Sequence, residues 1–182
     1  MGSKSKIKGK SFEREVCKYL SNVYGDNFQR VFDSGAFTGG KNTVRKQNLS
    51  ENQIRFHKGD IIPPDTWKYF NCECKFYSEF PFHLLFGNNK IALLETWIKQ
   101  TKSASDKDDC NVIIIKINRK GRFIAVNSID FEYDKCINYT DNEGETWVFS
   151  EFESFLVNNK STFKERCENL NLSKYQNKDT NS

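Results

Sequence analysis

Apolar positions recur at helical spacing early in the chain. Phe12, Val16, Tyr19, Leu20 and Val23 make one stripe, and Glu13, Cys17, Leu20 and Tyr24 make an adjacent one. Ser11 can cap this predicted helix and Gly25 can end it. Glu13 then lies at the border of the buried face, while Glu15 projects to the side. Phe28 to Phe32 reads as a strand. Gly59 to Ile62 reads as another, ended by Pro63-Pro64, and Trp67 to Phe76 as a third, so the last two predict a hairpin turning near Pro64-Asp65. Alternation along the third strand puts Asn71, Glu73 and Lys75 on one face and the apolar set Cys72, Cys74 and Phe76 on the other.

Further along, Lys90 to Lys102 predicts a helix, with Ile91, Leu94 and Ile98 on one stripe and Leu93, Trp97 and Gln100 beside it. The β-branched run from Asn111 to Ile117 reads as a buried strand. Arg119-Lys120-Gly121 makes a turn, and Arg122 to Val126 returns as its hairpin partner. Trp147 to Val157 is expected to be helical. Between the first strand and the second runs a polar stretch, Asp33 to Lys58, containing Gly35, Gly39, Gly40 and a possible short helix at Asn48 to Phe56. So long a loop inside a compact domain is usually functional or disordered, and the reading preferred here is a basic binding loop. The expected organisation is a basic disordered arm at 1–10, a single domain at 11–157 with the loop insertion at 33–58, and a polar tail at 158–182.

Composition narrows the class. A chain of 182 residues with 37% hydrophobic and 29% charged positions suits one domain with a substantial core. No apolar run approaches the roughly 18–20 residues that span a bilayer. The lysine-rich start, Met1 to Lys10, is followed by no apolar segment and is not a secretory signal. The expectation is a cytoplasmic protein, in the host cytoplasm if viral, with no membrane partner. Six cysteines include no Cys-x-x-Cys and no paired histidines. Cys72 and Cys74 have two readings, zinc ligands or small hydrophobes in the core, and the second is preferred because no further ligand pair is evident.

The net charge of +4 is unevenly spread. Residues 1–58 carry twelve Lys and Arg against five Asp and Glu, whereas residues 130–153 carry eight acids against Lys135 alone. The basic half also holds an acid constellation: Glu13, then Asp60, with Glu73-Cys74-Lys75 completing it. Mg²⁺ takes oxygen ligands and keeps several waters. Asp60 and Glu73 on neighbouring strands, the Cys74 carbonyl and Glu13 from the first helix are the candidate ligands. Lys75, two residues beyond Glu73, projects from the same face and can orient a water or neutralise charge growing on a phosphate. Acids for a metal within basic surroundings for a polyanion describe a metal-dependent phosphodiesterase. The competing reading of this segment is a surface hairpin with an ordinary Glu–Lys pair.

These residues resemble the PD-(D/E)xK nuclease superfamily, and more narrowly the archaeal Holliday-junction resolvases and their viral counterparts. The resemblance lies in Lys8-Gly9-Lys10-Ser11-Phe12-Glu13-Arg14-Glu15, in Asp60 followed by Glu73-Cys74-Lys75, and in Arg122-Phe123-Ile124-Ala125-Val126. It implies an α/β fold of restriction-endonuclease type, with a central mixed β-sheet of about five strands flanked by helices. It implies Glu13, Asp60 and Glu73 as metal ligands, Lys75 as the catalytic lysine, and Mg²⁺ as cofactor with Mn²⁺ as a substitute and no small-molecule cofactor. Arg14 would contact a DNA phosphate, Ser34 is the nearest match to a serine that assists catalysis, and Gln100 to a helix glutamine near the site. With the basic residues Lys8, Lys10, Arg30, Lys41, Arg45, Lys46, Arg55 and Lys58 these make the candidate DNA-binding set. Branched DNA and a homodimer are the partners implied. The long gap from Glu13 to Asp60, and Gly59 where the family has proline, depart from the pattern. Two alternatives stand beside the resolvase: a restriction- or repair-like endonuclease acting on linear duplex or RNA, and a DNA-binding module without catalysis.

Overall fold

A computed structural model describes residues 4–31, 58–87, 89–128 and 130–169. In chain order its elements are α1 (Lys4–Tyr24), β1 (Gln29–Arg30), β2 (Ile61–Ile62), β3 (Phe70–Tyr77), a 3-10 helix (Phe82–Phe86), α2 (Ala92–Ala104), β4 (Cys110–Ile117), β5 (Gly121–Val126), β6 (Cys136–Thr140), β7 (Thr146–Glu151) and α3 (Phe152–Glu168). Five strands form one sheet in the order β3-β4-β5-β7-β6. β3 and β4 are parallel, which requires the crossover that α2 supplies. The remaining pairs are antiparallel. This is the mixed, helix-flanked sheet of the restriction-endonuclease type.

β4 shows why the sheet must be covered on both sides. Val112 and Ile114 enter a core with Phe12, Val16 and Leu20 of α1 and Phe152, Phe155 and Phe163 of α3. Ile113, Ile115 and Ile117 point the opposite way, to Leu94, Trp97 and Ile98 of α2 and to Trp147 and Phe149 of β7. An uninterrupted apolar strand thus buries both faces. On β3 the alternation reads as expected. Cys72 and Cys74 are buried in the apolar cluster on the α1 side, with Phe76 packed against it.

Four elements differ from expectation. α1 begins at Lys4, so the basic segment at 4–10 is the first part of a helix, not an arm. β2 pairs with β1, Gln29 opposite Ile62 and Arg30 opposite Ile61, and makes no hairpin with β3. Pro63 and Pro64 follow β2 directly and have no N–H to extend a ladder. Trp147 to Val157 is not one helix: β7 runs to Glu151, whose carboxylate accepts a 2.6 Å hydrogen bond from the Ser154 amide and so caps α3. α3 then continues to Glu168, past the expected start of a tail. The apolar group at Phe80 to Phe86 serves the core: Phe80 and Leu85 are buried, Phe82 and Leu84 pack against them, and Phe86 alone is well exposed. The possible helix at Asn48 to Phe56 and most of the 33–58 loop lie outside the described residues.

Candidate active site

The site is assembled at the outer edge of β3. Gly59 has φ +64, and a Cβ there would sit 2.3 Å from the Cys72 carbonyl oxygen. Only glycine allows this approach. It brings the Asp60 amide to the Cys72 carbonyl at 2.8 Å. The Asp60 carbonyl accepts from the Val31 amide at 3.0 Å. The Asp60 carboxylate accepts from the Cys74 amide at 2.8 Å. Backbone and side chain are both clamped, so the carboxylate has one orientation. Since a strand residue directs its N–H and C=O to the same side, the Cys74 carbonyl also faces this edge.

Lys58 sets the approach from the other direction. It is buried, and its amine contacts Asp109 and, at 3.0 Å, Asp106. This corrects its assignment as a DNA-binding lysine: the charge is spent inside, fastening the segment before Asp60 to the loop between α2 and β4. No local pattern announces that partnership, because the acids lie 48 or more residues away.

Glu73 is 3% exposed. Its Oε2 accepts from Lys75 Nζ and from Gln100 Nε2, each at 2.7 Å. Lys75 Nζ also donates to Gln100 Oε1 at 2.8 Å, closing a triangle of carboxylate, ammonium and amide. Burial, then the neighbouring Asp60 carboxylate, push the Glu73 carboxyl up to about 7 against the pull of Lys75. Glu13, on α1, is 8% exposed and is raised too, by burial first and by Asp60 next. Arg30 opposes that rise: its Nη1 donates to Glu13 at 3.2 Å and to the Val31 carbonyl at 2.8 Å. Asp60 is therefore the acid that both other acids feel.

The three acids do not close around one point. Among the described residues no three His, Cys, Asp or Glu are gathered tightly enough to hold an ion. Glu13 is turned to Arg30, and Glu73 to Lys75 and Gln100. The donors that do face one another, the Asp60 and Glu73 carboxylates beside the Cys74 carbonyl, are all hard oxygens. The neighbouring Asp60 carboxylate raises the proton affinity of Glu73 even with the Lys75 ammonium on it, and a cation that takes one or two carboxylates and keeps its waters fits this pair.

The remaining predicted residues divide. Lys8 lies 5.8 Å over the Phe76 ring, and Lys10 is exposed near Glu13. Arg14 is exposed on the outer side of α1. Glu15 leaves the site, as its position on the helix suggests, and pairs with Lys116 at 2.6 Å and Arg122 at 3.1 Å. Ser34, Lys41, Arg45, Lys46 and Arg55 lie outside the described residues. Lys18 was missed as a candidate; it shares the exposed side of α1 with Arg14 one turn on.

A family model described as "Phage putative PDDEXK endonuclease" matches residues 4–173, nearly the whole chain. No curated protein and no solved structure matches. No helix among the described residues is long and apolar enough to cross a membrane. With Asp60, Glu73 and Lys75 set at one strand edge of a mixed, helix-flanked sheet, the chain belongs to this phage family of PD-(D/E)xK endonucleases.

Proposed function

We propose that the protein is an Mg²⁺-dependent, structure-selective DNA endonuclease, a Holliday-junction resolvase that makes paired nicks as a homodimer. The observation that carries the reading is the crowding of the Asp60 and Glu73 carboxylates at the β3 edge, with the Lys75 amine on Glu73. Asp60, Glu73 and the Cys74 carbonyl would hold the cation, with Glu13 reaching it directly or through water. Mn²⁺ would substitute, as both are hard, oxygen-preferring ions. Bound there, a divalent cation supplies Lewis acidity to a phosphoryl oxygen and to the attacking water.

The chain's own residues do the rest. Lys75 Nζ orients the attacking water and offsets negative charge as the phosphorus becomes five-coordinate. Gln100 holds Lys75 and Glu73 in register. Clamping of Asp60 by the β3 backbone keeps the ligand geometry fixed before substrate arrives. Selectivity for a four-way junction rests on the likeness of the Lys8–Glu15 segment to the resolvases, all of which now lies on α1. A homodimer follows from the need for two sites to make two symmetric nicks.

The test is cleavage of a fixed four-way junction and a linear duplex of the same sequence, each with Mg²⁺. Paired, symmetric nicks on the junction and little product from the duplex support the reading. Equal cutting of both, or nicks at sequence-defined positions in the duplex, replace it with a restriction- or repair-like activity. Salt-sensitive binding without product in Mg²⁺ or Mn²⁺ leaves a DNA-binding module.

A further inference from the structure

Beside the acids, on the outer flank of α1, lies a groove of about 400 Å³ between that helix and β1. Arg14 and Lys18 come from the helix, and Gln29 and Arg30 from the strand. Phe28 forms part of its floor, and Ser21 Oγ fixes the turn behind it by accepting from the Phe28 amide at 3.1 Å. The lining holds three cations and no acid. Several cations elsewhere on the described surface sit in ion pairs: Lys102 meets Asp141, Glu143 and Glu145, Arg122 meets Glu15 and Glu153, and Lys164 meets Asp26. Among the described residues neither Arg14 nor Lys18 has an acidic partner. A concave surface that gathers the Arg14, Lys18 and Arg30 cations with amide and hydroxyl groups is suited to an oxyanion of a polyanion.

Its position ties it to the chemistry. Arg30 lines the groove and bonds Glu13, and Glu13 is the acid that feels Asp60. Arg14 and Lys18 are four residues apart on one side of the helix, about 6 Å along the axis, so both reach the same stretch of backbone. We propose that this groove is a phosphate-binding subsite for the DNA strand flanking the cleaved bond, with Lys18 and Gln29 as binding residues in addition to Arg14 and Arg30. The inference rests on the nuclease reading above. It makes Lys18 a positioning residue that contacts backbone phosphate and carries no base specificity.

The experiment measures binding of the full chain to a short labelled DNA duplex by anisotropy, in EDTA, across a salt series. The proteins are wild type, Lys18→Gln, Lys18→Arg, Arg14→Gln and, as a control, Lys160→Gln on the exposed side of α3. Each neutral groove variant should bind about tenfold more weakly at low salt and lower the slope of log K against log salt by about 0.9. Lys18→Arg should restore both, and Lys160→Gln should change neither. Cleavage by wild type in Mg²⁺, measured alongside, separates the two claims. If wild type cuts but Lys18→Gln and Arg14→Gln bind with wild-type affinity and slope, the groove is not a phosphate site and the nuclease reading stands. If Lys160→Gln weakens binding as much as the groove variants, the effect is net charge alone and the inference is overturned.

Discussion

The Asp60 carboxylate accepts a 2.8 Å hydrogen bond from the Cys74 amide, the residue between Glu73 and Lys75. That one bond locks an acid from the β1–β2 side of the molecule to the strand that carries the other acid and the lysine. It makes Asp60 and Glu73 a fixed pair, even though β2 and β3 share no hairpin. The site is then a property of backbone geometry at one strand edge, and its weakest point is the glycine that permits the approach.

Gly59→Ala should therefore be damaging out of proportion to its size. The methyl would meet the Cys72 carbonyl oxygen, and the left-handed φ is itself unfavourable for alanine. A cost of about 1–3 kcal/mol in chemical denaturation is expected, together with loss of cleavage as Asp60 moves off β3. Unchanged stability and activity would mean that Gly59 is not what sets the Asp60 position.

Divalent cation should stabilise the fold through the same pair. At about a hundred times its dissociation constant, Mg²⁺ adds ~2.7 kcal/mol and raises the melting temperature. Asp60→Asn keeps an oxygen for the Cys74 amide, and Glu73→Gln keeps one for Lys75, so both variants should fold. Neither should show the full cation-induced shift. A wild-type shift in both would move the ion elsewhere in the molecule.

Gln100→Ala removes the amide that joins Lys75 to Glu73. Residues that orient ligands and catalytic groups typically account for about 10–100-fold in activity, and a fall of that order is expected in single-turnover cleavage. DNA affinity in EDTA should stay close to wild type. A matching loss of affinity would show that Gln100 contacts the DNA itself.

Asp141 contributes stability that depends on pH at the acid end. Burial pushes its carboxyl upward, but the Lys102 ammonium, the Glu145 and Glu143 amides and the Trp147 indole outweigh it and hold it below the usual range. A depressed folded-state value contributes stability above the unfolded value of about 3.9, lost as pH falls through the lower folded value. Asp141→Asn should cost about 1–3 kcal/mol at neutral pH, and the cost should shrink toward acid. Denaturation midpoints across that range test it, and a cost that does not change with pH would count against the ion pair.

How far the sequence carried depends on the range of each interaction. Glu73 and Lys75 were legible because alternation on a strand places side chains by a local rule, Gln100 was marked only by the family resemblance, and the structure brings the three side chains together. Cys72 and Cys74 were legible as core for the same reason. Lys58 was not, since its partners Asp106 and Asp109 come from a loop reached only after the whole α2 crossover. The β7–α3 boundary was hidden because neither Gly nor Pro marks it; the change of period at Glu151 is the only signal. β6 escaped notice because its residues are mostly polar or exposed and lie among acids. The β1–β2 pairing joins segments on either side of the 33–58 stretch, and nothing local ties Gln29 and Arg30 to Ile61 and Ile62.

The most direct test of the whole account is single-turnover cleavage of a four-way junction by wild type, Glu73→Ala and Lys75→Ala, each with Mg²⁺ and with EDTA. Product from wild type in Mg²⁺ alone, with both variants slowed by about a hundredfold or more, is the predicted outcome. Equal product from all three proteins, or undiminished cutting by wild type in EDTA, would contradict it.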